Sequence, residues 1–199
     1  KVVIVGRKES QLAEAKAGLE ALPRAVGSID TIAADVAAPD GPERIASFVE
    51  ERYGLIDILV NNAHSTGDTR DVAFTEIPRS TWQQVFDTNL FGPIELVNRL
   101  VDPILKADRR VSIINLIALA AFQTAAGIPA YSTSKSALWM YTRYLAHHLG
   151  KNVRSNAISP GFVTETGQAR FAYGQKIIEN GGVPLGRVGL PEEVAPAAL

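Results

Sequence analysis

The chain has 199 residues, 46% apolar and 21% charged, with a formal net charge of −1 at pH 7, the make-up of one ordinary globular domain able to bury its own core. A charge so near zero, with the basic residues scattered, offers a phosphate backbone no long-range attraction, which argues against a nucleic-acid partner. The absence of cysteine excludes disulfides, thiolate metal sites and cysteine nucleophiles, and is compatible with a cytoplasmic setting.

Lys1 leads straight into a β-rich apolar run over residues 2–5, so no charged-then-apolar secretory signal opens the sequence. An amphipathic helical pattern follows over 9–22, then a second apolar run over 30–34, a helix over 41–53 and a third run over 56–60. A loop over 64–79 precedes a helix over 80–107, with Ser80 as its cap and Trp82 and Gln83 in its first turn. A strand over 111–116, a helix over 132–149 closed by Gly150, and a strand over 154–158 come next, followed by a loop over 164–182 rich in Gly, Thr and Gln. The most apolar stretch, 113–122, is interrupted by Asn115 and is about half of what a bilayer crossing requires, so no membrane association is expected. Apolar runs of this kind suit strands covered on both faces, and their alternation with helices predicts an α/β domain with a doubly wound parallel sheet. No repeat, low-complexity tract or linker divides residues 1–199, which read as a single domain. Long loops at the carboxyl ends of parallel strands are where ligands bind in this class.

Tyr131 and Lys135 are four residues apart and share one face of their helix. A free phenol ionises near pH 10, and an ammonium beside it favours the phenolate, which brings the tyrosine toward the range where acid–base catalysis works. His64 has no second histidine or carboxylate at ligand spacing, so no metal site is expected.

Asn61-Asn62-Ala63, Asn89, Tyr131-Ser132-Thr133-Ser134-Lys135 and Ser159-Pro160-Gly161 stand in the order and spacing of the short-chain dehydrogenase/reductase family. The resemblance runs through essentially the whole chain and is strongest to the 3-oxoacyl-(acyl carrier protein) reductase branch. It implies a Rossmann-like fold, a dinucleotide cofactor, a small-molecule carbonyl or alcohol substrate interconverted by hydride transfer, and a cytoplasmic homodimer or homotetramer. By the same resemblance Tyr131 exchanges the proton, Lys135 lowers its pKa and bonds the nicotinamide ribose, and Asn89 carries a relay water. Asn61, Asn62 and Ala63 would line the adenosine, Asp35 and Val36 would contact the adenine, and Pro160, Gly161, Val163 and Thr164 would hold the nicotinamide carboxamide. Where NAD-preferring relatives put an acidic side chain, this sequence has Gly6 and Arg7. Arg7 can pair with a 2′-phosphate, so NADP(H) is expected over NAD(H).

The sequence also departs from the family pattern. Ala118 stands where the family has a serine that hydrogen-bonds the substrate oxygen, and losing one preorganised donor costs on the order of 3 kcal/mol; Thr124 is the nearest hydroxyl on the following loop. His64 replaces a glycine, and Glu165, between Thr164 and Thr166, replaces a threonine. These changes motivate an alternative, a catalytically degenerate relative acting as a binding or assembly subunit. The family's first strand with its pyrophosphate-cradling glycine-rich turn, and its C-terminal strand, have no counterpart here, so the domain is expected to be incomplete at both ends. The missing first strand is expected before Lys1 or between Lys1 and Val2, and its absence would leave the strands at Val2 and at Asn61 with unpaired edges. Finally, Leu90, Leu96, Leu138, Trp139 and Leu145 form broad apolar helix faces that serve either association or covering of the sheet.

Overall fold

The computed structural model describes residues 1–22, 27–67, 69, 71–124, 127–164, 174, 177–179 and 181–198. Strands and helices alternate: β1 (Val2–Gly6), α1 (Glu9–Glu20), β2 (Ile29–Ala33), α2 (Gly41–Tyr53), β3 (Ile58–Asn61), α3 (Arg79–Phe86), α4 (Gly92–Arg99), α5 (Val101–Lys106), β4 (Val111–Leu116), α6 (Pro129–His148), β5 (Val153–Ile158) and a short α7 (Pro191–Val194). Every ladder between these strands is parallel, as strands joined through helices require. The fold is therefore the α/β class that the alternation predicts, and it is Rossmann-like as the resemblance implies.

The sheet is in two pieces, β1 paired with β2, and β3, β4 and β5 in that order. β1 and β3 each have one partner among the described residues, so the two edges that lack of a first strand would open are both present. Val2, Val5, Ile58 and Val60 on these strands are exposed. One core nevertheless runs beneath both pieces: Ala34 after β2, Ile45 and Val49 of α2, Leu59 of β3, Leu96 of α4, Ile113 of β4, Leu145 of α6 and Val153 of β5 belong to a single buried cluster. Leu96, Leu138 and Leu145 are buried and thus cover the sheet. Among the described residues, the large apolar side chains left exposed on the helices of residues 79–106 and 129–148 are Phe91, Leu105, Met140 and Tyr144. No helix among the described residues is long and apolar enough to cross a membrane.

Three local expectations need correction. The single helix expected over 80–107 is a series: α3 passes through a π-helical segment (Asp87–Phe91) into α4, and Leu100 (φ −91°, ψ 3°) breaks the run before α5. Pro93 and Pro103 account for the interruptions, since each lacks the N–H that an α-helix would give to the carbonyl four residues back. Ser80 is not the cap; the helix begins at Arg79, and the Pro78 carbonyl receives the N–H groups of Thr81 and Trp82. α6 begins at Pro129 rather than Ser132, because proline fits a first turn whose N–H groups need no helical acceptor. At its far end, a Cβ on Gly150 would stand 2.5 Å from the Ala146 carbonyl oxygen, so glycine is the residue that fits there.

The loop after β2 is pinned by the starts of two helices. A Cβ on Gly92 would meet the Val36 carbonyl oxygen at 2.8 Å, and one on Gly41 the Asp35 carbonyl oxygen at 1.7 Å. Both obstacles are backbone, which cannot rotate away. Gly41→Ala should therefore destabilise the fold by about 1–3 kcal/mol, the usual cost of overpacking, seen as a lower urea midpoint at unchanged m-value; an unchanged midpoint would refute this close approach.

Candidate active site

The carboxyl ends of β3, β4 and β5 and the first two turns of α6 converge on Tyr131. Lys135, one helical turn after it, is only 2% exposed. Its Nζ donates to the Leu116 carbonyl at the end of β4 at 2.6 Å and lies 5.7 Å from the centre of the Tyr131 ring. The phenol and the ammonium thus share one side of the helix, as their spacing requires. Burial strips water from the ammonium and pushes its pKa down to about 8.

Serines and an asparagine fix the tyrosine's backbone. The buried Ser134 hydroxyl donates to the Tyr131 carbonyl at 2.7 Å and accepts from the Asn89 Nδ2 at 2.9 Å. Asn89, fully buried in the π-helical segment, gives its other amide hydrogen to the Ser65 carbonyl at 2.9 Å, and its Oδ1 receives the Ser65 N–H at 2.7 Å. Both hydrogens of that amide are committed, so the Asn89 side chain clamps the loop after β3 to the start of α6. Ser136 ties the next turn to the Ala121 carbonyl at 2.6 Å.

A second polar chain crosses the core. Asn61 Nδ2 donates to Asn115 Oδ1 at 2.8 Å, Asn115 Nδ2 to Thr142 Oγ1 at 2.9 Å, and Thr142 Oγ1 to the Leu138 carbonyl at 2.8 Å. All three side chains are buried, and each amide is worth its place only because it is satisfied. Asn61 is therefore a structural partner of β4 and α6, while Asn62, Ala63 and His64 are exposed at the strand end. The His64 ring meets the Tyr131 ring edge-on, 6.2 Å between centres at 66°. Sequence reasoning missed the roles of Asn115, Ser134 and Thr142; the available signal was an asparagine inside a mostly apolar strand, whose amide needs a partner when buried.

The remaining expected residues fall into two groups. Pro160 follows β5, and its carbonyl receives the Leu119 N–H at 3.2 Å, which ties this strand end to the segment carrying Ala118. Val163 bridges Gly189, and the buried Thr164 gives its N–H to the Gly189 carbonyl at 3.1 Å, while Gly161 is exposed. Glu165 and Thr166, with most of the loop expected over 164–182, lie outside the described residues. On the other sheet piece, Arg7 after β1 and Asp35 after β2 form an ion pair at 4.0 Å, and Asp35 Oδ1 also receives the Ala37 N–H at 3.0 Å. The side chain of Arg7 is three-quarters exposed, at 75%. Val36 is half-buried beside Gly92.

Known proteins resemble this chain over most of its length. A family model described as enoyl-(acyl carrier protein) reductase matches residues 1–199. A 3-oxoacyl-(acyl-carrier-protein) reductase of Chlamydia muridarum is 35% identical over 157 residues, 78% of this chain and 61% of that protein. The chain thus spans about three-fifths of the length of that curated relative. Among solved structures, a short-chain type dehydrogenase/reductase from Mycobacterium ulcerans superposes with a TM-score of 0.88 at 26% identity, covering 98% of this chain and 71% of that one. The RhlG/NADP active-site complex of Pseudomonas aeruginosa does so with a TM-score of 0.85 at 27% identity, covering 98% and 77%.

Burial of Lys135 has a measurable consequence. Its folded pKa of about 8 lies below the 10.5 of an unperturbed lysine, so between those values the unfolded chain holds a proton that the folded chain has released. Stability contributed by this group therefore rises with pH across that window, by on the order of 3 kcal/mol at 1.36 kcal/mol per pKa unit. Urea midpoints of the parent should climb relative to Lys135→Met from pH 8 to 10, and parallel curves would show that the lysine is not desolvated.

Proposed function

The chain belongs to the short-chain dehydrogenase/reductase family, and from that premise we propose that it is a cytoplasmic NADP(H)-dependent oxidoreductase that interconverts a ketone and a secondary alcohol. The observation that carries the reading is the phenol of Tyr131 with the desolvated ammonium of Lys135 beside it, 5.7 Å from the ring centre. A lysine whose pKa lies near 8 can give up and regain a proton close to neutrality, so it can both favour the phenolate and refill it.

The residues present suit a dinucleotide phosphate. Arg7 is exposed, and its only ion-pair partner among the described residues is Asp35 at 4.0 Å, which a 2′-phosphate can replace. Asn62 and Ala63 are exposed at the end of β3, and a Cβ on Gly161 would meet nothing within 4 Å, which leaves its backbone approachable. Asp35 and Val36 would face the adenine, and Pro160, Gly161, Val163 and Thr164 the carboxamide. When bound, the reduced cofactor supplies a hydride to the carbonyl carbon. Tyr131 delivers the proton to the oxygen, Lys135 holds the ribose and restores the tyrosine, and the Asn89 main-chain carbonyl holds the relay water. Pro93 supports that last role, because it has no N–H to satisfy the Asn89 carbonyl as an α-helix would.

Similarity to a 3-oxoacyl-(acyl-carrier-protein) reductase makes a β-keto thioester the first substrate to test. A cavity of about 400 Å³ next to the start of α6, lined by Thr69, Val72, Phe74, Ile77, Thr124 and Pro129 among others, could accept its acyl part. A homodimer or homotetramer belongs to the same proposal, with Phe91, Leu105, Met140 and Tyr144 among the apolar side chains left over for association; light scattering should give the mass of two or four chains, and a monomer would remove this part.

NADPH consumption with acetoacetyl-CoA should fall at least about a hundredfold in Tyr131→Phe, the usual scale of a lost acid–base group, while NADPH still binds in a fluorescence titration. Arg7→Ala should weaken NADPH roughly tenfold, as for one charge-assisted bond, and leave NADH unchanged. Parent protein that binds NADH as tightly as NADPH would overturn the cofactor preference.

A further inference from the structure

His64 and Ala118 are departures from the family pattern, and each follows the carboxyl end of one strand of the same parallel pair. β3 and β4 pair in parallel with Asn61 opposite Asn115, and His64 and Ala118 each stand three residues beyond that last pair, on adjacent strand ends. Neither segment is loose. Ala118 is fully extended (φ −158°, ψ 162°), and the N–H groups on either side of it are held, Ile117 by the Ile158 carbonyl at 2.9 Å and Leu119 by the Pro160 carbonyl at 3.2 Å. His64 precedes Ser65, whose N–H and carbonyl are both gripped by the buried Asn89 amide. On that support the imidazole lies edge-on to the Tyr131 ring, with 6.2 Å between centres, and His64 as a residue is exposed. An alanine methyl offers a substrate oxygen no hydrogen bond, whereas an imidazole always carries at least one N–H donor.

We propose that His64 donates to the substrate carbonyl oxygen the hydrogen bond that Ala118 cannot, so that His64, Tyr131 and Lys135 form the catalytic set of this chain. The inference rests on the oxidoreductase reading above and deepens it. In the reductive direction the hydride, with its two electrons, goes to the carbonyl carbon, the Tyr131 hydroxyl proton goes to the oxygen, and the nicotinamide is left oxidised. His64 keeps its proton throughout and only stabilises the negative charge growing on the oxygen. The substrate is thus held by a donor arriving from the β3 side of the tyrosine instead of the β4 side.

The test uses the parent, His64→Gly, His64→Phe, Ala118→Ser and the double variant His64→Gly with Ala118→Ser, each assayed with NADPH and acetoacetyl-CoA. His64→Gly should lose about a hundredfold in kcat/KM, the scale of one preorganised donor. His64→Phe, which keeps a ring against Tyr131 but has no N–H, should lose as much. Ala118→Ser should recover most of the loss in the double variant. Parent-like rates in either His64 variant, or a loss that the serine does not repair, would overturn the inference while leaving the oxidoreductase reading intact. Turnover confined to the variants carrying Ala118→Ser would also overturn it, since the native site would then lack its donor. No turnover in any of the five proteins defeats the oxidoreductase reading and this inference with it. A readout independent of turnover comes from ¹⁵N-labelled histidine, of which the chain has three: in Tyr131→Phe saturated with NADPH, the His64 resonance should shift on adding acetoacetyl-CoA, and an unmoved resonance would contradict direct contact.

Discussion

An ammonium taken out of water must find acceptors inside the protein, and for Lys135 the Leu116 carbonyl at the carboxyl end of β4 provides one at 2.6 Å. That bond sets the start of α6 over the edge of the sheet, and much of the site follows from it. Tyr131 lies one turn back on the same face. Ser134, the residue before the lysine, holds the tyrosine carbonyl and receives the Asn89 amide, which in turn grips Ser65. The loop after β3, the π-helical segment and α6 are therefore joined by hydrogen bonds through one buried cluster. Displacing any member would leave another polar group buried without its partner, which costs about 1–3 kcal/mol.

The core beneath is held in register by a second polar chain, Asn61 to Asn115 to Thr142. Leucines in these positions would fill the volume but would tolerate sliding of β3 against β4. Amides that must meet each other do not. A one-residue slip of β3 against β4 would turn Asn61 to the other face and break its bond to Asn115, so the register of this strand pair is fixed by the two amides.

Much of this was legible in the sequence. The apolar runs gave the strands to within one or two residues, the alternation gave parallel pairing, and the Tyr131 and Lys135 spacing gave the shared face. What escaped was the effect of local chemistry on longer patterns. Residues 80–107 carry continuous amphipathic periodicity, yet Pro93 and Pro103 withdraw two helical donors and the chain divides. Ser80 has the composition of a cap, but Pro78 already sets the extended conformation that opens the helix one residue earlier. Ser134 and Thr142 look like ordinary helix residues because their partners, Asn89 and Asn115, are 45 and 27 residues away in sequence. In the sequence His64 is only a histidine in place of a glycine, whereas its ring against Tyr131 is a tertiary fact.

The edges of β1 and β3 that have no partner among the described residues carry an alternation at the level of single amides. In a parallel ladder a residue sends both its N–H and its C=O to one side, and its successor sends both to the other. Val2 gives its N–H to Ser28 and Gly6 receives that of Ala34, so the even-numbered residues of β1 serve β2; likewise Ser112 bonds Asp57, so the odd-numbered residues of β3 serve β4. The groups of Val3, Val5, Ile58 and Val60 are turned the opposite way. Among the described residues these four amides have no ladder partner, so each sheet piece presents the donors and acceptors that a further parallel strand would take up.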